Sequence, residues 1–265
     1  MYKKYDLVYS IGHDCACSMY LNKHNLRYVS GPLDWLTNVP PAQRFELLLN
    51  NFDGFMNIDD FEFIEKDPNI FNDENCDYYR NKRTGFHFYH DFAAGIPLSE
   101  TFNDVAEKYR RRITRFYENI KRHERILLVW FSHYHETSND EWATFAMRFC
   151  YHVGKNVNFL IIQHMENQFI PIITKIAPNI TRFDMHTIEK DNKGNITTLG
   201  NQKLCDSIFA QFALRIPRKY IWRYAYKKFL IHGVCKFIPL HNIRHAWRNK
   251  LNNDISQMRI MQSQN

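Results

Sequence analysis

Asp6-Leu7-Val8-Tyr9-Ser10-Ile11-Gly12-His13-Asp14-Cys15 decides the architecture. The first six residues read as a short, mostly apolar strand, and Gly12–Cys15 as a tight turn. Ala16–Asn25 has helical spacing, with Met19, Tyr20 and Leu26 directed to a core. A strand–turn–helix unit puts the Cys15 sulfur at a helix N-terminus. Unpaired N–H groups and the macrodipole there favour thiolate over thiol. Gly12 lets the backbone turn sharply and approach a ligand closely. Ser30-Gly31-Pro32-Leu33-Asp34-Trp35 then returns toward the same edge.

Downstream, strands and helices alternate. Pro40-Pro41 opens a helix over Ala42–Asn50. Thr84–Phe92 alternates like a strand. Ser99–Arg122 is a long helix whose core stripe is Val105, Tyr109, Ile113, Phe116 and Ile120. Arg125–Phe131 (RILLVWF) and Asn158–Gln163 (NFLIIQ) read as buried strands flanking a helix over Asp140–Val153, a βαβ unit. Thr181–His186 suggests a third strand and Leu199–Phe212 a closing helix. The expected fold is therefore α/β: a three-layer, Rossmann-like, mostly parallel sheet over residues 1–214. Residues 215–265 form a basic, aromatic-rich helical appendage. Asn51–Tyr79, acidic and aromatic, reads as an insertion of short strands and loops with a solvated face.

The net charge of +7 is unevenly placed. Ser207–Asn253 has no Asp or Glu and ten positive charges between Arg215 and Lys250, interleaved with Trp, Tyr and Phe. Such a tail suits an anionic membrane surface, at roughly 1 kcal/mol per basic residue near the headgroups. Nucleic acid ranks below it, because no helix-turn-helix, zinc finger or RNA-binding signature occurs. No signal peptide and no apolar run of about 20 residues is visible. Six scattered cysteines (15, 17, 76, 150, 205 and 235) read as reduced thiols. The expected location is cytoplasmic, peripheral on an inner membrane.

Ligands of such sheets bind outside the carboxyl ends of the strands. Cys15, His133, His135, His164 and Glu166 all follow strands. His133-x-His135 and His164-x-Glu166 have metal-ligand chemistry as a minority reading; the main expectation is no metal and no cofactor. His90 ends a strand beside Asp91, the setting a general base needs. His87, three residues back, falls on the opposite face. Arg111 and Arg112 are candidate clamps for a carboxylate or phosphate.

Ser10-Ile11-Gly12-x-x-Cys15, Arg27, Gly31-Pro32-Leu33-Asp34-Trp35, His90-Asp91-Phe92 and Lys108-Tyr109-x-Arg111-Arg112-Ile113-x-Arg115-Phe116 occur in one order. That ordered set resembles a bacterial and giant-virus family of unknown function labelled "putative papain-like cysteine peptidase", over roughly residues 5–165. The resemblance implies a Cys–His site.

The primary expectation is a cysteine-dependent hydrolase or acyl/group transferase. Cys15 is its nucleophile, His90 its base, and Asp34 or Asp91 orients that base. Gly12, His13, Trp35, Arg111, Arg112, His133 and His164 contact a small-molecule, glycan or peptide substrate. The strand ahead of the cysteine is closer to esterases with a GDSL-type first block, where serine stands in its place. The tail adds the expectation of a role in surface-polysaccharide metabolism. Two alternatives are a membrane-associated glycosyl or other group transferase of capsule or lipopolysaccharide assembly, and a non-catalytic binding module with Cys15 as core.

Overall fold

The structure is a computed structural model describing residues 3–27, 29–67, 73–133 and 137–215, with scattered positions from 226 to 247. Two compact units divide the chain, Met1–Ala213 and Leu214–Asn265. The Arg215–Lys250 tail reading falls almost wholly outside the described residues, as does His135. Among the described residues, no helix is long and apolar enough to cross a membrane.

The first unit opens with β1 (Lys3–Tyr5), β2 (Leu7–Ser10) and α1 (Cys15–Lys23). Next come β3 (Leu36–Thr37), α2 (Pro41–Leu49), a 3-10 turn at Ile58–Asp60, β4 (Phe61–Ile64), β5 (Cys76–Asn81) and β6 (His87–Ala93). The remainder is α3 (Leu98–Arg122), β7 (Ile126–Phe131), α4 (Asn139–Val153), β8 (Asn158–His164), β9 (Ile172–Ala177), β10 (Ile180–Met185), α5 (Gln202–Phe209) and β11 (Phe212–Leu214).

A mixed α/β architecture results. Its larger sheet has the order β2-β7-β8-β10-β9. The first four strands run parallel, and β9 closes the edge antiparallel to β10. Every residue of β2 and β7 is buried, which explains their unbroken apolar runs. β9 escapes the sequence reading because it is an edge strand: its burial alternates weakly, and Ile172 and Ile173 are exposed.

A second sheet, antiparallel and ordered β3-β6-β5-β4, was not foreseen as a unit. The aromatic residues of the presumed insertion form its core. Phe55, Phe61, Phe88 and Phe92 pack together and meet Phe102 and Tyr109 of α3. Burying each phenylalanine contributes about 1.5–3 kcal/mol. Phe55 and Phe61 therefore belong to the packing of this sheet on α3, while Asp53, Asp59 and Phe63 between and beside them are exposed. On α3 the expected stripe is buried at Val105, Tyr109, Phe116 and Ile120, while Ile113 is half-buried.

Local rules set the ends of α4. Ser138 and Glu141 form a reciprocal capping box, and Gly154 ends the helix in the left-handed region at φ 63°. Tyr20 on α1 and Leu26 just beyond its end are buried as expected, whereas Met19 is exposed.

Candidate functional site

β2 feeds directly into the turn that carries Cys15. The Ile11 and His13 N–H groups continue the β2–β7 ladder by donating to the Val129 and Phe131 carbonyls, at 2.8 and 3.1 Å. The chain then leaves the sheet at Gly12. A Cβ there would lie 2.8 Å from the Phe131 nitrogen and 2.8 Å from Cys17 Cβ, so only glycine fits. Close approach to the protein's own backbone, rather than to a ligand, accounts for this glycine. Asp14 caps α1, its carboxylate accepting the Ala16 N–H at 2.8 Å. Cys15 follows as the first helical residue, its sulfur part-buried.

Arg44 braces the same turn from beneath. It is buried, and donates to the carbonyls of His13 (2.6 Å), Leu36 (2.8 Å) and Val39 (2.9 Å), with Ile11 at 3.5 Å. The guanidinium also lies over the Phe86 and Trp130 rings.

The second sheet delivers the histidine. His90 projects from an outward position of β6, with its side chain 40% exposed. Its Nε2 is 3.5 Å from Cys15 Sγ. On the other side of the ring, Nδ1 is 3.5 Å from Oδ2 of Asp73. Trp35 sets its ring edge-on against the imidazole, with centroids 5.8 Å apart. Sulfur, imidazole and carboxylate thus stand in line.

Asp73 is the residue that sequence reasoning missed. Its Oδ1 accepts the backbone N–H of Asn75 at 2.9 Å and the Asn75 amide at 3.1 Å, an Asx-type turn. Its own N–H donates to the Tyr78 hydroxyl at 2.7 Å, and Lys66 Nζ donates to its carbonyl at 2.7 Å. The Asn75 hydrogen bonds, chiefly, hold the Asp73 carboxyl below the usual carboxylate range, and His90 adds to this. Asp73 therefore stays ionised well into the acid range.

The two carboxylates expected beside His90 are engaged elsewhere. Asp34 is buried, accepting both Arg27 Nη2 at 2.7 Å and the Gly31 N–H at 2.9 Å. Asp91 takes Lys108 Nζ at 2.5 Å and the Tyr109 hydroxyl at 2.9 Å. Adjacent residues of a strand point to opposite faces, so the neighbour of His90 in sequence turns away from it.

Several expected substrate contacts also have other partners. His13 is buried edge-on to Trp130, 3.7 Å from Asp14 Oδ2. His133 shares a hydrogen bond with the Thr187 hydroxyl at 2.9 Å, and His164 Nδ1 accepts the Thr187 N–H at 3.1 Å. Both rings fasten loops at the strand ends. Among the described residues, no group of three or more His, Cys, Asp or Glu is placed to hold a metal ion. His87 pairs with Tyr89 and Asn38, away from the sulfur. Arg111 is 61% exposed and paired with Glu107, while Arg112 lies over the Tyr109 ring.

Electrostatics corrects one expectation. Burial pushes the Cys15 thiol up to about 12, and the Asp14 carboxylate adds to the rise. Arg44 pulls the other way but more weakly. The helix dipole was expected to ionise this sulfur, yet the capping residue of the same helix is an anion. The resting group is a thiol. Alkylation of Cys15 by iodoacetamide should climb about tenfold per pH unit between pH 7 and 10, because only thiolate reacts. Rates followed by peptide mass mapping test this. Levelling below pH 8 would reveal a preformed thiolate–imidazolium pair instead.

A family of unknown function described as "Putative papain-like cysteine peptidase" matches residues 6–167, more than half of the sequence. The chain belongs to this family. The matched region holds Cys15, Asp73 and His90, with all of the second sheet and β2, β7 and β8 of the larger one. An uncharacterized protein of Acanthamoeba polyphaga mimivirus is 30% identical over 123 residues, which cover 42% of this chain. The chain spans about half the length of that relative, 55%. No solved structure matches.

Proposed function

We propose that this family member is a cysteine hydrolase or acyl transferase, with Cys15 as nucleophile, His90 as general base and Asp73 as the residue that orients His90. The observation that carries the reading is the line Sγ–Nε2 at 3.5 Å and Nδ1–Oδ2 at 3.5 Å. The family's description supplies independent support for a Cys–His pair.

The chemistry follows from the protonation states. Asp73, ionised, holds the Nδ1–H tautomer, which leaves the Nε2 lone pair facing the thiol. As Sγ attacks an acyl carbon, its proton moves to Nε2 and the carbonyl pair moves to oxygen. The peptide N–H of Cys15 is the donor this reading assigns to that oxyanion, because the Ala16 N–H is spent on Asp14. Collapse expels an amine or alcohol, which leaves with the Nε2 proton. Water or another acceptor, deprotonated by His90, then cleaves the thioester and regenerates the thiol. With a thiol near 12, proton transfer accompanies attack rather than preceding it, as in serine hydrolases.

Incubation with p-nitrophenyl acetate tests the proposal. Acetyl groups should accumulate on Cys15 ahead of the other part-buried thiols, Cys76 and Cys150, when the quenched protein is mapped by mass spectrometry. If folded protein acetylates at Cys76 or Cys150 and leaves Cys15 free, the nucleophile is misassigned.

A further inference from the structure

β6 is irregular at the point where it carries His90. β5 and β6 pair Tyr79 with Phe88 and Asp77 with Phe92. Between those pairs β5 has one residue, Tyr78, and β6 has three, Tyr89, His90 and Asp91. The surplus is a bulge, a device that re-aims a side chain next to an active site. In an unbroken strand His90 would share the face of Phe88 and Phe92, both fully buried. Phe88 packs on Tyr109 of α3, with ring centroids 5.6 Å apart. The bulge instead leaves His90 outward, against Cys15, and Asp91 inward on Lys108 and Tyr109.

Tyr78, the residue of β5 opposite this bulge, connects to both members of the His90–Asp73 pair. It is buried, at 8% exposure. Its ring lies 4.7 Å from that of Tyr89, the residue before His90, and the Tyr89 hydroxyl is fixed in turn on His87 Nδ1 at 2.7 Å. Its hydroxyl accepts the Asp73 N–H at 2.7 Å. Lys66 tightens the same grip: its ammonium donates to the Asp73 carbonyl at 2.7 Å and stands 5.0 Å over the Tyr78 ring. Asp73 Oδ1 takes both Asn75 donors, and Oδ2 is the oxygen turned to His90. One side chain thus fixes the backbone from which the carboxylate projects and, through Tyr89, the backbone from which the imidazole projects.

We propose that Tyr78 is a positioning residue for the reaction: its hydroxyl sets the Asp73 carboxylate, and its ring seats the bulge that aims His90 at Cys15. The inference rests on the Cys15–His90–Asp73 reading and adds a residue that acts through two of its members. The Asp73 N–H is part-buried, so loss of its acceptor favours another arrangement of the turn, in which Oδ2 no longer faces the ring.

Single-turnover acylation by p-nitrophenyl acetate tests this, read as the p-nitrophenolate release that disappears in Cys15→Ala. Tyr78→Phe keeps the ring and removes the hydroxyl. It should slow acylation about tenfold, as much as Asp73→Asn, because a misplaced carboxylate serves no better than an absent one. The double variant Tyr78→Phe/Asp73→Asn should be no slower than either alone, since both changes act through one carboxylate. Tyr78→Leu removes the ring as well and should lose at least about tenfold more, by loosening the aim of His90. Alkylation by iodoacetamide at pH 10 reads the thiolate without a base, and in Tyr78→Phe it should stay within about twofold of the unmodified protein. A merely structural role for Tyr78 would disturb both reactions. If the losses in Tyr78→Phe and Asp73→Asn multiply, or Tyr78→Phe acylates at full rate while Asp73→Asn is slow, Tyr78 does not act through Asp73; the proposal is then wrong and the Cys15–His90–Asp73 reading stands. If Asp73→Asn itself acylates at full rate, Asp73 leaves that reading and Tyr78 goes with it. If release persists undiminished in Cys15→Ala, the nucleophile reading fails and takes the proposal with it.

Discussion

His90→Ala should slow acylation of Cys15 by p-nitrophenyl acetate between about 10²- and 10⁴-fold, the range that a positioned general base contributes. The loss is large because the resting sulfur is a thiol held near 12 by burial and by Asp14. At pH 7 roughly one molecule in 10⁵ carries a thiolate without help, on the scale of one decade per pH unit. Removing the imidazole leaves only that fraction to react. The measurement is single-turnover release of p-nitrophenolate, with the Cys15→Ala protein as the zero. Asp73→Asn should cost far less, about tenfold. Its carboxylate is 30% exposed and 3.5 Å from Nδ1, so water can partly replace it in orienting the ring. Asp91→Asn separates the two assignments. Its buried carboxylate binds Lys108 and Tyr109, so the substitution should lower stability and spare the acylation rate per folded molecule. A rate loss larger than that of Asp73→Asn, in folded protein, would return Asp91 to the role expected from sequence.

These residues mark the boundary of what a sequence can say. Cys15 was readable because a glycine-bounded turn after an apolar strand has few alternatives, and the buried runs pointed to a mostly parallel sheet, although the pairing of β2 with β7 was not among the readings. Alternation gave the strand of His90, but it was the resemblance to the family's ordered motifs that singled the residue out. Asp73 was not readable. It lies 17 residues from His90 in a polar stretch with no periodicity, and its Asx turn predicts a bend without naming a partner. The pairing of β5 with β6 does the work, bringing Tyr78, which receives the Asp73 N–H, to within 4.7 Å of Tyr89 by ring centroids. Long-range antiparallel pairing is set by packing, here a phenylalanine core on α3, and no local pattern announces it. The error over Asp91 was of another kind, since the twofold period of a strand already placed it on the far side from His90. The thiol likewise demanded a comparison of magnitudes: one cap carboxylate and burial against a helix dipole worth about 0.3–1 kcal/mol at ordinary exposure.

Arg44→Met should destabilise the protein by about 3–5 kcal/mol, the range for removing one partner of a buried ionic arrangement. Two effects oppose each other. Burial lowers the guanidinium to about 9, a sign that its charge is costly where it sits, and a neutral side chain of similar length removes that cost. Against this, the His13, Leu36 and Val39 carbonyls lose the donor they share, at about 1–3 kcal/mol each if left bare. The second effect wins because methionine offers no donor and the site is closed to water. A fall in the urea midpoint with unchanged slope is the expected result. The consequence for chemistry follows from where the carbonyls lie. His13 belongs to the nucleophile turn of the larger sheet. Leu36 lies in β3, which pairs with β6 through Leu36↔Phe88 and Thr37↔His87, three residues before His90. One guanidinium therefore ties the element carrying the sulfur to the sheet carrying the imidazole. In the fraction of Arg44→Met that stays folded, Cys15 acylation should fall at least tenfold, while Arg44→Lys, which keeps the charge but not the fork, should fall between the two proteins in both measurements. Full acylation in folded Arg44→Met would mean that the two sheets hold their register without it.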